Sequence, residues 1–292
     1  MSAVERQIGE GKPVHGQSVL ITGAAQGLGA AVARHLHGLG ARLILLDRNQ
    51  QALAETCDAC PGATPAVVDL SDDEATDRCI AEVITEPVDT LIHNAAILRA
   101  ESVERVSLET FQATLNVGIQ AAFQLTKAVW RGMKAGGGAL LFVSSRSGIE
   151  GFVDETAYCA AKHALEGFSK CLAMEGAAHG ILSATITPGM YMRTPMSETN
   201  YTPELKEKWV DPILLAPAFA YLATRPMHLS GQRLNAWELS QEQRSPGACS
   251  LSTTGSMPTR KSAFGIFSVS SSSPPSRLRA SGSGSVRTWF GR

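Results

Sequence analysis

The chain has 292 residues, a formal net charge of −1 and 44% hydrophobic residues, enough for one large α/β domain of ordinary globular composition. The near-zero charge gives no footing for a nucleic-acid partner, no apolar run reaches membrane-spanning length, and no signal peptide is visible. Six cysteines without a disulfide framework and histidines without metal-ligand spacing point to a reduced, cytoplasmic chain with no metal site.

The first predicted elements are a short apolar strand over 18–21, the glycine turn TGAAQGLG (22–29) and a helix from about Gly27. Gly23 permits the tight turn, Gly27 lets backbone approach a pyrophosphate, and Gly29 lets the helix pack near the strand. Gln26 and Leu28 complete the turn as further candidate cofactor contacts. The spacing is GxxxGxG, a departure from the commoner GxGxxG. The next strand, ARLILLD, ends at Asp47, whose carboxylate can accept hydrogen bonds from an adenosine ribose and repels a 2′-phosphate, favouring NAD over NADP. Arg48 could instead bind that phosphate, and Asp47 could be the N-cap of the following helix. A third strand, PAVVD, closes at Asp69 with Leu70 after it. Both are candidates near the adenine, although Asp69 could simply begin a turn. Cys57 and Cys60 form a CxxC with no second pair to complete a metal site, and read as structural.

Helices over 72–84, 108–133 and 156–178 then alternate with the strands VDTLIH, ALLFVS and ILSATIT. Such alternation predicts right-handed βαβ units and a single doubly wound parallel sheet in three α/β/α layers, with ligands at the carboxyl ends of its strands. Tyr158 and Lys162, in YCAAK, are one helical turn apart and share a face. A lysine ammonium there should bring the phenol down from its ordinary value of about 10, so that it can exchange a proton with an alcohol or carbonyl. Ser145 can donate to an oxygen where charge develops. Its neighbour Ser144 would point the other way if the strand runs through both. Asn116 lies in a long apolar helix where asparagine has poor propensity, as a functional group or as a surface polar residue.

Taken in order, TGAAQGLG, HNAA (93–96), Asn116, VSSRSG (143–148), YCAAK and TPG (187–189) resemble the short-chain dehydrogenase/reductase family. The resemblance implies a Rossmann-type fold and an NAD(P)-dependent oxidoreductase of alcohols or carbonyls, usually a homodimer or homotetramer. By matching position it implies Tyr158 as acid/base, Lys162 as its activator and a contact to ribose hydroxyls, and Ser145 as the group that orients the substrate oxygen. Asn116 would support a proton relay through water. Asn94 and Ala95 would lie along the cofactor, Pro188 and Gly189 would turn the chain beside it, and Thr194 would meet its amide. Ala96 stands where the family usually has glycine, and Trp237 and Glu238 replace a glycine pair after an expected strand over 233–237.

The substrate side is rich in apolar residues. Met190, Tyr191, Met192, Met196, Tyr201 and Trp209, with Ile149, Phe152 and Val153 opposite, suit an uncharged carbonyl or secondary alcohol. Arg99, Arg146 and Arg193 could bind a carboxylate instead. Two other functions stay open: a nucleotide-binding regulator without turnover, and an epimerase or dehydratase that returns the hydride to its substrate. Residues 1–244 form the expected NAD(P)-binding domain. Residues 245–292, rich in Ser, Gly, Pro and Arg and free of Asp and Glu, read as a disordered basic tail without function, or as an interaction tail.

Overall fold

A computed structural model describes residues 12–244. In chain order the elements are β1 (Ser18–Thr22), α1 (Gly27–Gly38), β2 (Arg42–Asp47), α2 (Gln50–Asp58), β3 (Thr64–Val67), α3 (Asp73–Val83) and β4 (Thr90–His93). There follow α4 (Leu108–Leu115), a π-helical turn (Asn116–Gln120), α5 (Ala121–Gly136), β5 (Gly138–Val143), α6 (Thr156–Gly176) and β6 (Ile181–Thr187). The last elements are α7 (Pro195–Asn200), α8 (Pro203–Lys206), α9 (Ala216–Ala223), β7 (Arg233–Asn235) and α10 (Ala236–Arg244).

All seven strands form one parallel sheet in the order β3-β2-β1-β4-β5-β6-β7. The central strands are buried throughout, which their nearly unbroken apolar runs require. Side chains alternate between two cores. Val19, Ile21, Leu141 and Ile186 pack with Leu28, Val32 and Leu36 of α1 and Phe219 of α9. Leu20, Leu140 and Phe142 pack on the opposite face with Leu125 and Val129 of α5 and Leu165 of α6. The sheet is therefore doubly wound, as expected. Its direction of winding reverses at β1, which pairs with β2 on one side and β4 on the other. Ligands bind at such a reversal, beyond the strands' carboxyl ends. The pairing of Thr22 with His93 brings the glycine turn beside Asn94.

Four local expectations differ from the structure. The cap of α2 is Asn49, whose Oδ1 accepts from Ala52 N at 3.1 Å, so Asp47 is not the N-cap. β3 stops at Val67 and does not reach Asp69, which begins a turn as the alternative reading had it and accepts from the backbone and hydroxyl of Ser71. The helix expected over 108–133 is interrupted by the π-turn that starts at Asn116. β7 ends at Asn235, because its Oδ1 accepts from Trp237 N and Glu238 N and starts α10, so Trp237 is helical. The proposed tail, 245–292, lies outside the described residues.

Candidate active site

The glycine turn is built for close approach. Gly23 and Gly27 have φ of +64° and +57°, a region that favours glycine. A Cβ on Gly23 would stand 2.8 Å from Asn94 Nδ2 and 3.0 Å from Ala95 Cα. One on Gly29 would overlap the Gly23 carbonyl oxygen. Asn94 fastens this joint, with Nδ2 donating to Thr22 O and Gly23 O at 3.2 and 3.0 Å. Thr22 Oγ1 accepts from Asn94 N and Ala95 N and also meets His93 Nδ1 at 3.1 Å. His93 is buried, and its Nε2 reaches Val117 O and Gly118 O, both at 3.0 Å, across the π-turn. Burial, with the Lys162 charge second, holds His93 down to about 4, although its bonds to those carbonyls oppose the shift.

A cavity of about 330 Å³ opens over this joint. Gly23, Gln26, Gly27, Leu28, Asp47, Arg48, Asp69, Leu70, Asn94 and Ala95 line one end, and Ser145, Tyr158, Lys162, Pro188 and Thr194 line the other. The first amides of α1 have no intrahelical partner, and with the helix dipole they favour a phosphate. A bare backbone cradle, a helix N-terminus and a carboxylate at the end of β2 fit a dinucleotide. Asp47 is already engaged: Oδ2 accepts from Ala25 N at 3.0 Å and Oδ1 from Asn49 N at 2.9 Å. Arg48 lies 3.8 Å from Asp69 and is 62% exposed. Three expected residues do not line the cavity: Gly29, Gly189 and Asn116. Gly29 acts through helix packing. Gly189, at φ +77°, lies against Asn235, where a Cβ would clash with its amide. Asn116 turns its Nδ2 to Ser71 O at 2.9 Å, and Val117 takes the cavity wall.

The strand end separates the two serines. Ser144 is buried and donates to Glu166 Oε1 at 2.5 Å. Ser145 hydrogen-bonds Tyr158 and the Ser147 amide. Lys162 is 2% exposed, and its Nζ donates to Val143 O at 2.7 Å and lies 5.4 Å from the Tyr158 ring centroid. Burial lowers the ammonium to about 8, against the opposing pull of Glu166. For Tyr158 the expected direction is corrected. Burial raises the phenol well above its ordinary value, the Ser145 hydrogen bond offsets only part of this, and Glu155 adds a further upward push. The ammonium points past the phenol to a carbonyl, and desolvation decides the outcome.

The substrate end differs in detail from the sequence reading. Met192, Met196 and Tyr201 line the cavity, and Tyr191 packs edge-on against Tyr201 from behind, with centroids 5.5 Å apart. Ile149 and Val153 are instead 54% and 89% exposed, and Phe152 lies under the Arg146 guanidinium. None of Arg99, Arg146 and Arg193 reaches the cavity, and Arg146 pairs with Glu150. Glu155 lines it instead, and accepts from Ser147 Oγ at 2.8 Å. Sequence reasoning passed over Glu155. Its position three residues before Tyr158, at the mouth of α6, is the signal that pointed there. Thr194 lines the cavity and also caps α7 through Ser197.

Residues 17–204 match the family model described as short chain dehydrogenase. The chain is 34% identical to mouse (Mus musculus) L-xylulose reductase over 195 residues, covering 66% of this chain and 79% of that one. It is 31% identical over 232 residues to the 3-oxoacyl-[acyl-carrier-protein] reductase of Rickettsia bellii, covering 75% and 95%. Among solved structures it is similar to a protein assigned as an NAD(P)-dependent gluconate 5-dehydrogenase from Beutenbergia cavernae, determined with NADP at low occupancy. The TM-score is 0.71 at 27% identity, covering 77% of this chain and 98% of that one.

Proposed function

This chain belongs to the short-chain dehydrogenase family, nicotinamide-dependent oxidoreductases acting on CH–OH groups, and from that premise we propose that Tyr158, Lys162 and Ser145 carry its proton chemistry. One observation supports the assignment above the others: these three side chains line the same cavity as the glycine turn and Asp47. When bound, the nicotinamide supplies or accepts the hydride. Tyr158 gives its proton to the substrate oxygen in reduction and takes it back in oxidation. Ser145 Oγ donates to that oxygen as charge builds on it. Lys162, held near 8, stabilises the phenolate and recovers a proton near neutral pH. A phenol raised by burial rests protonated, which suits it to carbonyl reduction.

NAD is the proposed cofactor. The Asp47 carboxylate at the cavity wall disfavours a 2′-phosphate, and Arg48 faces the balancing charge of Asp69. The NADP in the Beutenbergia cavernae structure favours the other reading. The proposed substrate is an uncharged carbonyl or alcohol, since Glu155 would repel an anion and Met192, Met196 and Tyr201 are among the residues that line the cavity with it. A homodimer or homotetramer in the cytoplasm completes the proposal. Leu108, Phe123 and Met174, on α4, α5 and α6, are exposed apolar side chains that a second subunit could cover, and a single-chain mass by light scattering would oppose the assembly.

The test is NADH absorbance with a panel of uncharged ketones and aldehydes, for the wild type and Tyr158→Phe. The variant is expected to lose on the order of 10²–10⁴-fold in kcat while NADH binding, followed by fluorescence, stays unchanged. Wild-type turnover in Tyr158→Phe would remove the mechanism.

A further inference from the structure

Beneath the proposed reacting groups lies a second set of polar residues. Glu166 is one helical turn beyond Lys162 on α6 and is buried. Its Oε1 accepts from Ser144 Oγ at 2.5 Å and from Arg233 Nε at 3.2 Å, and its Oε2 accepts from Thr185 Oγ1 at 2.7 Å. One carboxylate thus ties α6 to Ser144 just after β5, to Thr185 of β6 and to Arg233 of β7. The second arm of the same guanidinium, Nη2, donates to Ser145 O at 3.0 Å. A Cβ on Gly148 would come 2.6 Å from Ser144 Oγ and 3.1 Å from Glu166 Oε1, so the turn after Ser145 closes directly on the cluster.

We propose that Glu166 and Arg233 are positioning residues for this reaction: the guanidinium fork fixes the main chain at Ser145, and the carboxylate supplies the anion beneath Lys162. The proposal rests on the roles given above to Ser145 and Lys162. A buried carboxylate without partners would be costly, and here the partners come from β6, β7 and the residue just after β5, next to Ser145. Burial opposes the charge of Lys162. From β4 it faces His93, from α6 Tyr158 and Glu166, and from β5 the Val143 carbonyl, while Arg233 of β7 acts on it through Glu166. Among these, Glu166 is the group that raises the lysine against burial. Arg233 has the matching geometric task. The planar fork holds the carboxylate and the carbonyl at a fixed separation and orientation, which a lysine keeping the charge on a single flexible head would not reproduce.

The experiment uses the full chain. With ¹³C-labelled lysine and no substrate or cofactor added, the Lys162 side-chain resonance, assigned by its loss in Lys162→Met, is titrated by NMR. Glu166→Gln is expected to move the midpoint down by about one unit. Arg233→Lys is expected to lower kcat for NADH-dependent ketone reduction by on the order of 10²-fold, with KM for NADH unchanged. Thr185→Val, which removes one bond to Glu166 and neither charge, is expected to lose stability with no shift of the midpoint. An unmoved Lys162 midpoint in Glu166→Gln, or wild-type kcat in Arg233→Lys, would overturn the proposal. So would equal losses in all three variants, since the cluster would then act through stability alone. The titration needs no turnover, so an inactive wild type would sink the roles of Ser145 and Lys162 separately.

Discussion

Burying an ammonium should write a pH signature into the stability of this protein. Lys162 is lowered from its ordinary 10.5 to about 8 in the folded chain. Between those values the folded state has released a proton that the unfolded state still holds, so stability rises with pH through that window. Below pH 8 the folded chain carries the whole penalty, and above 10.5 it carries none. A gap of this size is worth about 3 kcal/mol, of which roughly 2–3 should be recovered by pH 10. Lys162→Met has no such proton to lose. His93, held at about 4, completes its change below the window, and the raised phenol of Tyr158 acts above it in the opposite sense. The assay is urea unfolding at 25 °C from pH 7 to pH 10 for both proteins. The wild type should gain roughly 2–3 kcal/mol on the variant across that range. Parallel stability curves would refute the argument that desolvation dominates at this lysine.

Two further outcomes are expected. Asp47→Ala should lower the NAD-to-NADP ratio of kcat/KM by about tenfold or more, because the repelling carboxylate is gone. It should also lose about 1–3 kcal/mol of stability, because Ala25 N and Asn49 N lose their acceptor. An unchanged ratio would take Asp47 out of the ribose site. Gly29→Ala should cost about 1–3 kcal/mol, since its methyl would overlap the Gly23 carbonyl, and a thermal scan should show a fall of several degrees. Unaltered melting and NADH affinity would show that the turn relaxes freely.

The layout of the sheet was legible because its signals are local and periodic. Apolar runs such as VLI and ALLFV can be buried on two faces in a parallel sheet, and glycines mark the turn between β1 and α1. Four-residue spacing sufficed to put Tyr158 and Lys162 on one face of α6. Less was legible where the answer depended on contacts between distant segments. Gly189 and Gly29 carry the same motif weight as Gly23, yet the first packs on Asn235 and the second on a carbonyl. Asn116 is drawn to Ser71, 45 positions away, which no spacing reveals. The direction of the Tyr158 shift depended on how much water the fold excludes, and a one-turn spacing carries no measure of that. Glu155 belongs to no motif, and its neighbours in the cavity are what mark it.

The π-turn has a consequence for the ring it faces. Thr22 Oγ1 spends both lone pairs on the amides of Asn94 and Ala95, so its own hydrogen must go to His93 Nδ1. The imidazole is thereby fixed as the Nε2–H tautomer, with its single hydrogen shared by the two carbonyls that the wide turn exposes. A second proton has nowhere to sit. Acid strong enough to force one in would unlatch Thr22 from the ring and set two cations, His93 and Lys162, against each other beneath the cavity.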